Sequence, residues 1–85
     1  MSKFDKLVLV FLSEPSDLVF ADVRKLLVNF GFHEDSVSGS HHIFRHEDGR
    51  MISIPVKGGQ KVKKIYIKKI NELLNLEEWY EQQDR

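Results

Sequence analysis

The chain has 85 residues, 41% hydrophobic and 31% charged, with two prolines and no cysteine. That length gives a single folding unit with a modest core, and the missing cysteines exclude disulfide frameworks, thiol catalysis and cysteine-based zinc sites while suiting a reducing cytoplasm. The zero net charge is a sum of unlike segments. Eight basic residues between positions 45 and 69 (Arg45, Arg50, Lys57, Lys61, Lys63, Lys64, Lys68 and Lys69) face only Glu47 and Asp48, and the rest of the chain is acidic. One basic surface is therefore offered to an anion by a chain that is neutral as a whole.

In chain order, Phe4, Leu7, Val8 and Phe11 recur at i, i+3, i+4 and i+7, which predicts an amphipathic helix over Ser2 to Leu12. Ser2 and Asp5 make its capping pair. Leu9, Val10 and Leu12 widen the apolar stripe, so neighbours are expected on more than one side. The apolar run from Leu7 to Leu12 is six residues long, against the roughly 20 that span a bilayer. No small-residue cleavage site follows it, so neither a membrane segment nor a signal peptide is expected. Pro15 ends the helix by pushing the residue before it out of helical geometry. Val23, Leu26, Leu27 and Phe30 repeat the same spacing and predict a second helix from about Phe20 to Phe30. Gly31 suits its left-handed C-terminal position.

From Phe32 the period changes to two. Residues Phe32 to Ser38 read as a strand, acidic in the middle and placed at a sheet edge, and Gly39 breaks it. The stretches His41 to Arg45 and Arg50 to Pro55 flank Asp48-Gly49, a hairpin signal because this dipeptide tolerates positive φ. A three-residue turn, Glu47 to Gly49, pairs Phe44 with Ile52 and His42 with Ile54. It is preferred to a two-residue turn because it gathers Phe44, Ile52 and Ile54 on one face. His42 then leans toward the core, and His41 shares the other face with Ile43, Arg45 and Ser53. Residues Val56 to Gln60 read as a loop. A last main helix is expected from about Lys61, burying Val62, Tyr66, Ile70, Leu73 and Leu74. At ~100° per residue Lys61, Lys64 and Lys68 fall within about 60° on its opposite side. From Asn75, with Trp79 and Tyr80, a short terminal helix or packed tail follows. The order α-α-β-β-β-α defines an α+β fold with helices against a three-stranded antiparallel sheet.

The chemistry-bearing residues are few. Lys61, Lys63 and Lys64 crowd a helix start, where cations oppose the helix dipole. Behind a Gly-Gly loop they suit a phosphate-holding surface. Four histidines (His33, His41, His42, His46) raise the question of a metal, but His41 and His42 diverge on a strand, and zinc requires convergent ligands. No metal site and no cofactor are expected. Ser40 beside His41 lacks the geometry of a serine nucleophile and its base, and Lys57 to Lys61 lacks P-loop spacing. A histidine can act alone where the substrate brings its own nucleophile, as RNA does with its 2′-hydroxyl. The residues by themselves leave this reading open beside a merely hydrogen-bonded strand histidine.

Gly39-Ser40-His41, the aromatic Phe44, His46 before Asp48-Gly49-Arg50, Ile54-Pro55 and the lysine-rich helix together resemble the HicA (YcfA-like) toxins of bacterial toxin-antitoxin pairs, over about Phe20 to Ile70. The resemblance implies a double-stranded-RNA-binding-domain-like fold used as a metal-independent mRNA endoribonuclease. It implies His41 as the catalytic histidine, an mRNA substrate, a HicB-type antitoxin partner in a hetero-oligomer, and a cytoplasmic setting. Substrate contacts are then expected from Gly39, Ser40, Lys57, Lys61, Lys64 and Lys68. The chain departs from the pattern in its extra N-terminal helix, its tail after Asn75, Glu47 in the turn, and Val56-Lys57 in place of a histidine-bearing stretch. His46 has two readings, an assistant to His41 or a turn stabiliser. The alternative to an enzyme is a non-catalytic module of the same fold that binds RNA or a protein by shape.

Overall fold

The computed structural model describes residues 2–83, so Asp84 and Arg85 of the expected tail lie outside the described residues. The two segments of helical period form α1 (Lys3–Leu12) and α2 (Phe20–Asn29). The Ser2 hydroxyl accepts from the Asp5 amide and the Asp5 carboxylate accepts from the Ser2 amide, so α1 starts in a full capping box. Gly31 follows α2 at φ +90°, as its place in the sequence requires.

The expected three-stranded sheet forms in the order β2 (Phe32–Ser38), β3 (His41–His46), β4 (Met51–Pro55). Its β3–β4 register is the expected one: Phe44 lies opposite Ile52 and His42 opposite Ile54. Hydrogen bonds at the two ends of this ladder, His46 N to Arg50 O (2.9 Å) and Val56 N to Ser40 O (2.8 Å), fix its phase. Pro55 then stands where an N–H would point to the free edge, so the proline costs no ladder bond and blunts that edge.

The β2–β3 pair carries the fold's one irregularity among the described strands. Two residues, Gly39 and Ser40, make its turn, and Gly39 at φ +60° suits the first central position of a type II′ hairpin. Ser38 pairs with His41 and Ser36 with Ile43, but beyond a bulge between Glu34 and Ser36 the pairs become Glu34 with Phe44 and Phe32 with His46. The extra residue flips the face of everything before it. Without it Phe32 would share the outer face with Ser36 and Ser38. With it Phe32 is 2% exposed.

Two short strands absent from the expected order, β1 (Asp17–Val19) and β5 (Lys61–Lys63), pair antiparallel as a separate ribbon. The helix expected from Lys61 therefore begins later, as α3 (Lys64–Leu74). Val62 is fully buried while its neighbours point out, a period of two that a helical reading of Val62 and Tyr66 conceals. Asn75 turns the chain at φ +49° into α4 (Leu76–Glu81).

All helices lie on one face of the sheet. Their buried residues, among them Phe11, Leu26, Leu27, Ile67, Ile70 and Leu76, meet Phe44 and Ile54 in one core. Each such side chain stabilises the fold by about 1.5–3 kcal/mol. The rings of Phe4, Phe30 and Trp79 close together, with centroids 5.2–5.9 Å apart, and fasten α1 to α2 and α4. Helix α1 touches α2, α3 and α4, as its wide stripe suggested. Leu9 and Val10, however, are left exposed rather than covered.

Candidate functional site

Strand β3 ends in two different environments. At its C-terminal end His46 is half-buried, its ring edge-on to Phe32 (5.0 Å between centroids) and its Nδ1 accepting from the Asp48 amide at 3.0 Å. A Cβ on Gly31 would sit 2.7 Å from its Nε2. Arg50 completes this corner. It bonds both the carboxylate of Asp48 (2.8 Å) and the Leu73 carbonyl at the end of α3 (3.3 Å), with its guanidinium over Phe32. The Asp48 carboxyl is held below its ordinary range first by the Arg50 backbone N–H, with the Arg50 guanidinium adding to this. The polar groups of this corner hold a turn.

The N-terminal end is the opposite. His41 is exposed directly after the Gly39-Ser40 turn, on the face away from the helices. A series of backbone contacts leads from this turn to the lysines. Ser40 O accepts from Val56 N, Lys57 bridges Lys61, and β5 then runs into α3 at Lys64. Since Arg50 fastens the C-terminal end of α3 to the far turn, Lys64 at the helix start lies toward the His41 end. Lys68 lies one helical turn, ~6 Å, further along. Lys57, Lys64 and Lys68 are exposed. Lys61 is partly covered, and its Nζ lies 3.7 Å from Asp17.

The structure thus brings Gly39, Ser40, His41, Lys57 and Lys61 to one end, with Lys64 next and Lys68 at the margin. One expectation is corrected: Lys61, Lys64 and Lys68 do not form a single helical arc, because Lys61 is in β5. His46 is separated from His41 by five residues of strand, ~16 Å, and points to the other face. It holds the turn and does not reach His41.

Behind His41, on the inner face, lies a cluster that sequence reasoning missed. The His42 Nδ1–H donates to Glu34 Oε2 at 2.5 Å, and Glu34 Oε1 accepts from Arg24 at 2.6 Å. The His42 ring packs at a tilt of 45° against Phe20, 4.4 Å between centroids, and the Arg24 guanidinium lies over the same Phe20 ring at 5.0 Å. The hydrogen bond from His42 is the main cause holding the Glu34 carboxyl below its ordinary range, partial burial opposing it and Arg24 adding to it. The bulge is what turns Glu34 inward to meet His42, and nothing in the spacing announces a bulge. Among the described residues no three His, Asp or Glu side chains gather as metal ligands.

Helices on one face of a three-stranded antiparallel sheet, with a lysine-bearing end, define a small α+β protein of the double-stranded-RNA-binding-domain-like class. A family model described as the HicA toxin of bacterial toxin-antitoxin matches residues 20–77. The chain belongs to that family, and its class is therefore a toxin whose partner is an antitoxin. Comparisons with curated proteins and with solved structures find no match. The matched span excludes α1, which the sequence had set apart as an addition. No helix among the described residues is long and apolar enough to cross a membrane.

Proposed function

We propose that this toxin is a metal-independent mRNA endoribonuclease in which His41 moves the proton. The observation that carries the reading is the exposed His41 behind a tight turn, at the lysine-bearing end of a HicA-family chain. Catalysis on RNA asks little of the protein, because the 2′-hydroxyl beside the scissile phosphate is the nucleophile. His41 takes the proton from that hydroxyl, or gives one to the departing 5′-oxygen. Amides of the Gly39-Ser40 turn lie near the phosphate, while Lys57, Lys61, Lys64 and Lys68 hold the backbone on either side. The site requires an unpaired strand, since a duplex holds the 2′-hydroxyl and phosphate out of line. The partner is a HicB-type antitoxin that covers this end, in a hetero-oligomer in the cytoplasm. The 85 residues act as one HicA-like domain, with α1 and α4 as additions to it.

The test is incubation of the protein with mRNA in EDTA, beside His41→Ala. Cleavage by the wild type alone is expected. A His41→Ala protein that still cleaves at the wild-type rate contradicts the assignment. Cleavage by neither protein, with RNA retained on both, favours the non-catalytic RNA-binding module.

A further inference from the structure

An exposed side chain at the end of a strand is poorly placed for proton transfer unless something fixes the strand end. Backbone pairing of His41 with Ser38, and the Val56 N to Ser40 O bond, hold the strand end from the edge side. The neighbouring His42 stands in a linked set. The His42 ring lies on Phe20, the first residue of α2; its Nδ1 is tied to Glu34; Glu34 is tied to Arg24; and Arg24 covers the same phenyl ring. Phe20 is anchored in turn, for its backbone N–H donates to Gln60 O at 2.8 Å. Gln60 belongs to the loop between Lys57 and Lys61, and it holds φ +59°, a conformation that costs a non-glycine residue energy and is kept by the Gln60 N to Lys57 O bond (3.0 Å). A chain of direct contacts therefore runs from β3 through His42 and Phe20 to the lysine loop. Glu34 on β2 and Arg24 on α2 are the charged groups in this chain of contacts, and β4 places Ile54 opposite His42.

We propose that His42, locked by Glu34, is a positioning residue that fixes His41 relative to the loop between Lys57 and Lys61. The inward strand residue sets the backbone from which the outward one projects, and the lock joins that backbone to the loop that grips the phosphates. The hydrogen bond to Glu34 adds a fixed ring orientation, which apolar packing alone does not supply. The inference rests on the ribonuclease reading for its kinetic consequence, but not for its structural one.

Two measurements on the whole chain test it. In the first, RNA cleavage is compared for wild type, Glu34→Ala, Glu34→Gln and His42→Phe. Displacement of a catalytic group by about an ångström costs up to ~100-fold, so a loss of about tenfold in kcat is expected for Glu34→Ala and His42→Phe, with KM unchanged because the lysines remain. Glu34→Gln keeps an acceptor for Nδ1 and should recover most of kcat. In the second, hydrogen exchange at the Ser40 and His41 amides should quicken in Glu34→Ala and return toward wild type in Glu34→Gln, with cooperative unfolding in both. His42→Phe keeps a ring on Phe20 and so guards against simple loss of folding. Unchanged kcat and unchanged exchange in Glu34→Ala would overturn the proposal. So would a loss that Glu34→Gln shares in full. If the wild type cleaves no RNA, the ribonuclease reading fails, and the exchange measurement alone decides the lock.

Discussion

The two ends of β3 use the same kinds of residue to opposite ends. At the His46 end a histidine, an aspartate and an arginine bond one another, a helix carbonyl and an aromatic ring, leaving little to offer a ligand. At the His41 end His41 stands exposed after a tight turn, and exposed Lys57 follows the residue that bonds this turn. A histidine's sequence neighbours do not tell these roles apart, for both follow or precede turn residues. The backbone does. His46 faces inward toward Gly31 and Phe32, whereas His41 faces outward beside a two-residue turn. The comparison makes the C-terminal end a matter of stability and, on the proposed function, the N-terminal end a matter of activity, and it can be broken from either side.

The largest effect expected on the stable end comes from Gly31→Ala. A side chain at φ +90° that also meets the His46 ring should cost about 2 kcal/mol in urea unfolding. RNA cleavage per folded molecule should be unchanged, and a selective loss of cleavage would break the comparison. Next is the acid limb of stability. Glu34 is depressed mainly by the His42 hydrogen bond, so the unfolded chain binds its proton more readily than the folded one. Its contribution is complete above the ordinary glutamate value of ~4.3 and is lost as pH falls through the lower folded-state value. Glu34→Gln should flatten the fall in stability below about pH 4.3, though not abolish it, because Asp48 is shifted in the same direction by Arg50. An acid limb of unchanged steepness would mean that the Glu34–His42 hydrogen bond is not formed in solution.

Smaller effects sharpen the His41 end. Replacing Lys57 or Lys64 by Gln should lower the salt dependence of RNA binding by about 0.7 in log–log slope for each phosphate no longer neutralised, on any sequence. Lys68 at the margin should matter less, and Lys61, close to Asp17, less than Lys57. A slope indifferent to all four would move the RNA elsewhere. Smallest is Asp35→Ala, which breaks the Arg45 pair at 2.8 Å. Both partners are largely solvated, so a change below ~0.5 kcal/mol is expected.

The hairpin of β3 and β4 was legible because its buried set admits one register: Phe44, Ile52 and Ile54 share a face only with a three-residue turn. The outward direction of His41 followed from that register. The Glu34–His42 lock was not legible, since counting back from Gly39-Ser40 places Glu34 on the outer face until the bulge reverses it. Residues Lys61 to Lys63 were misread for a different reason. A buried Val62 fits both a strand and the helix that follows, and the partner that decides, Asp17 to Val19, lies more than 40 residues away in sequence. Local periodicity carries no information about pairing at that distance.

The contrast between the two ends of β3 is tested most directly by measuring cleavage rate and unfolding free energy together for His41→Ala and His46→Ala. His41→Ala should lose cleavage and keep wild-type stability. His46→Ala, deprived of its packing on Phe32 and its bond from the Asp48 amide, should lose about 1–2 kcal/mol and keep its cleavage rate per folded molecule. A folded His46→Ala protein without activity, or an active His41→Ala protein, would contradict the division.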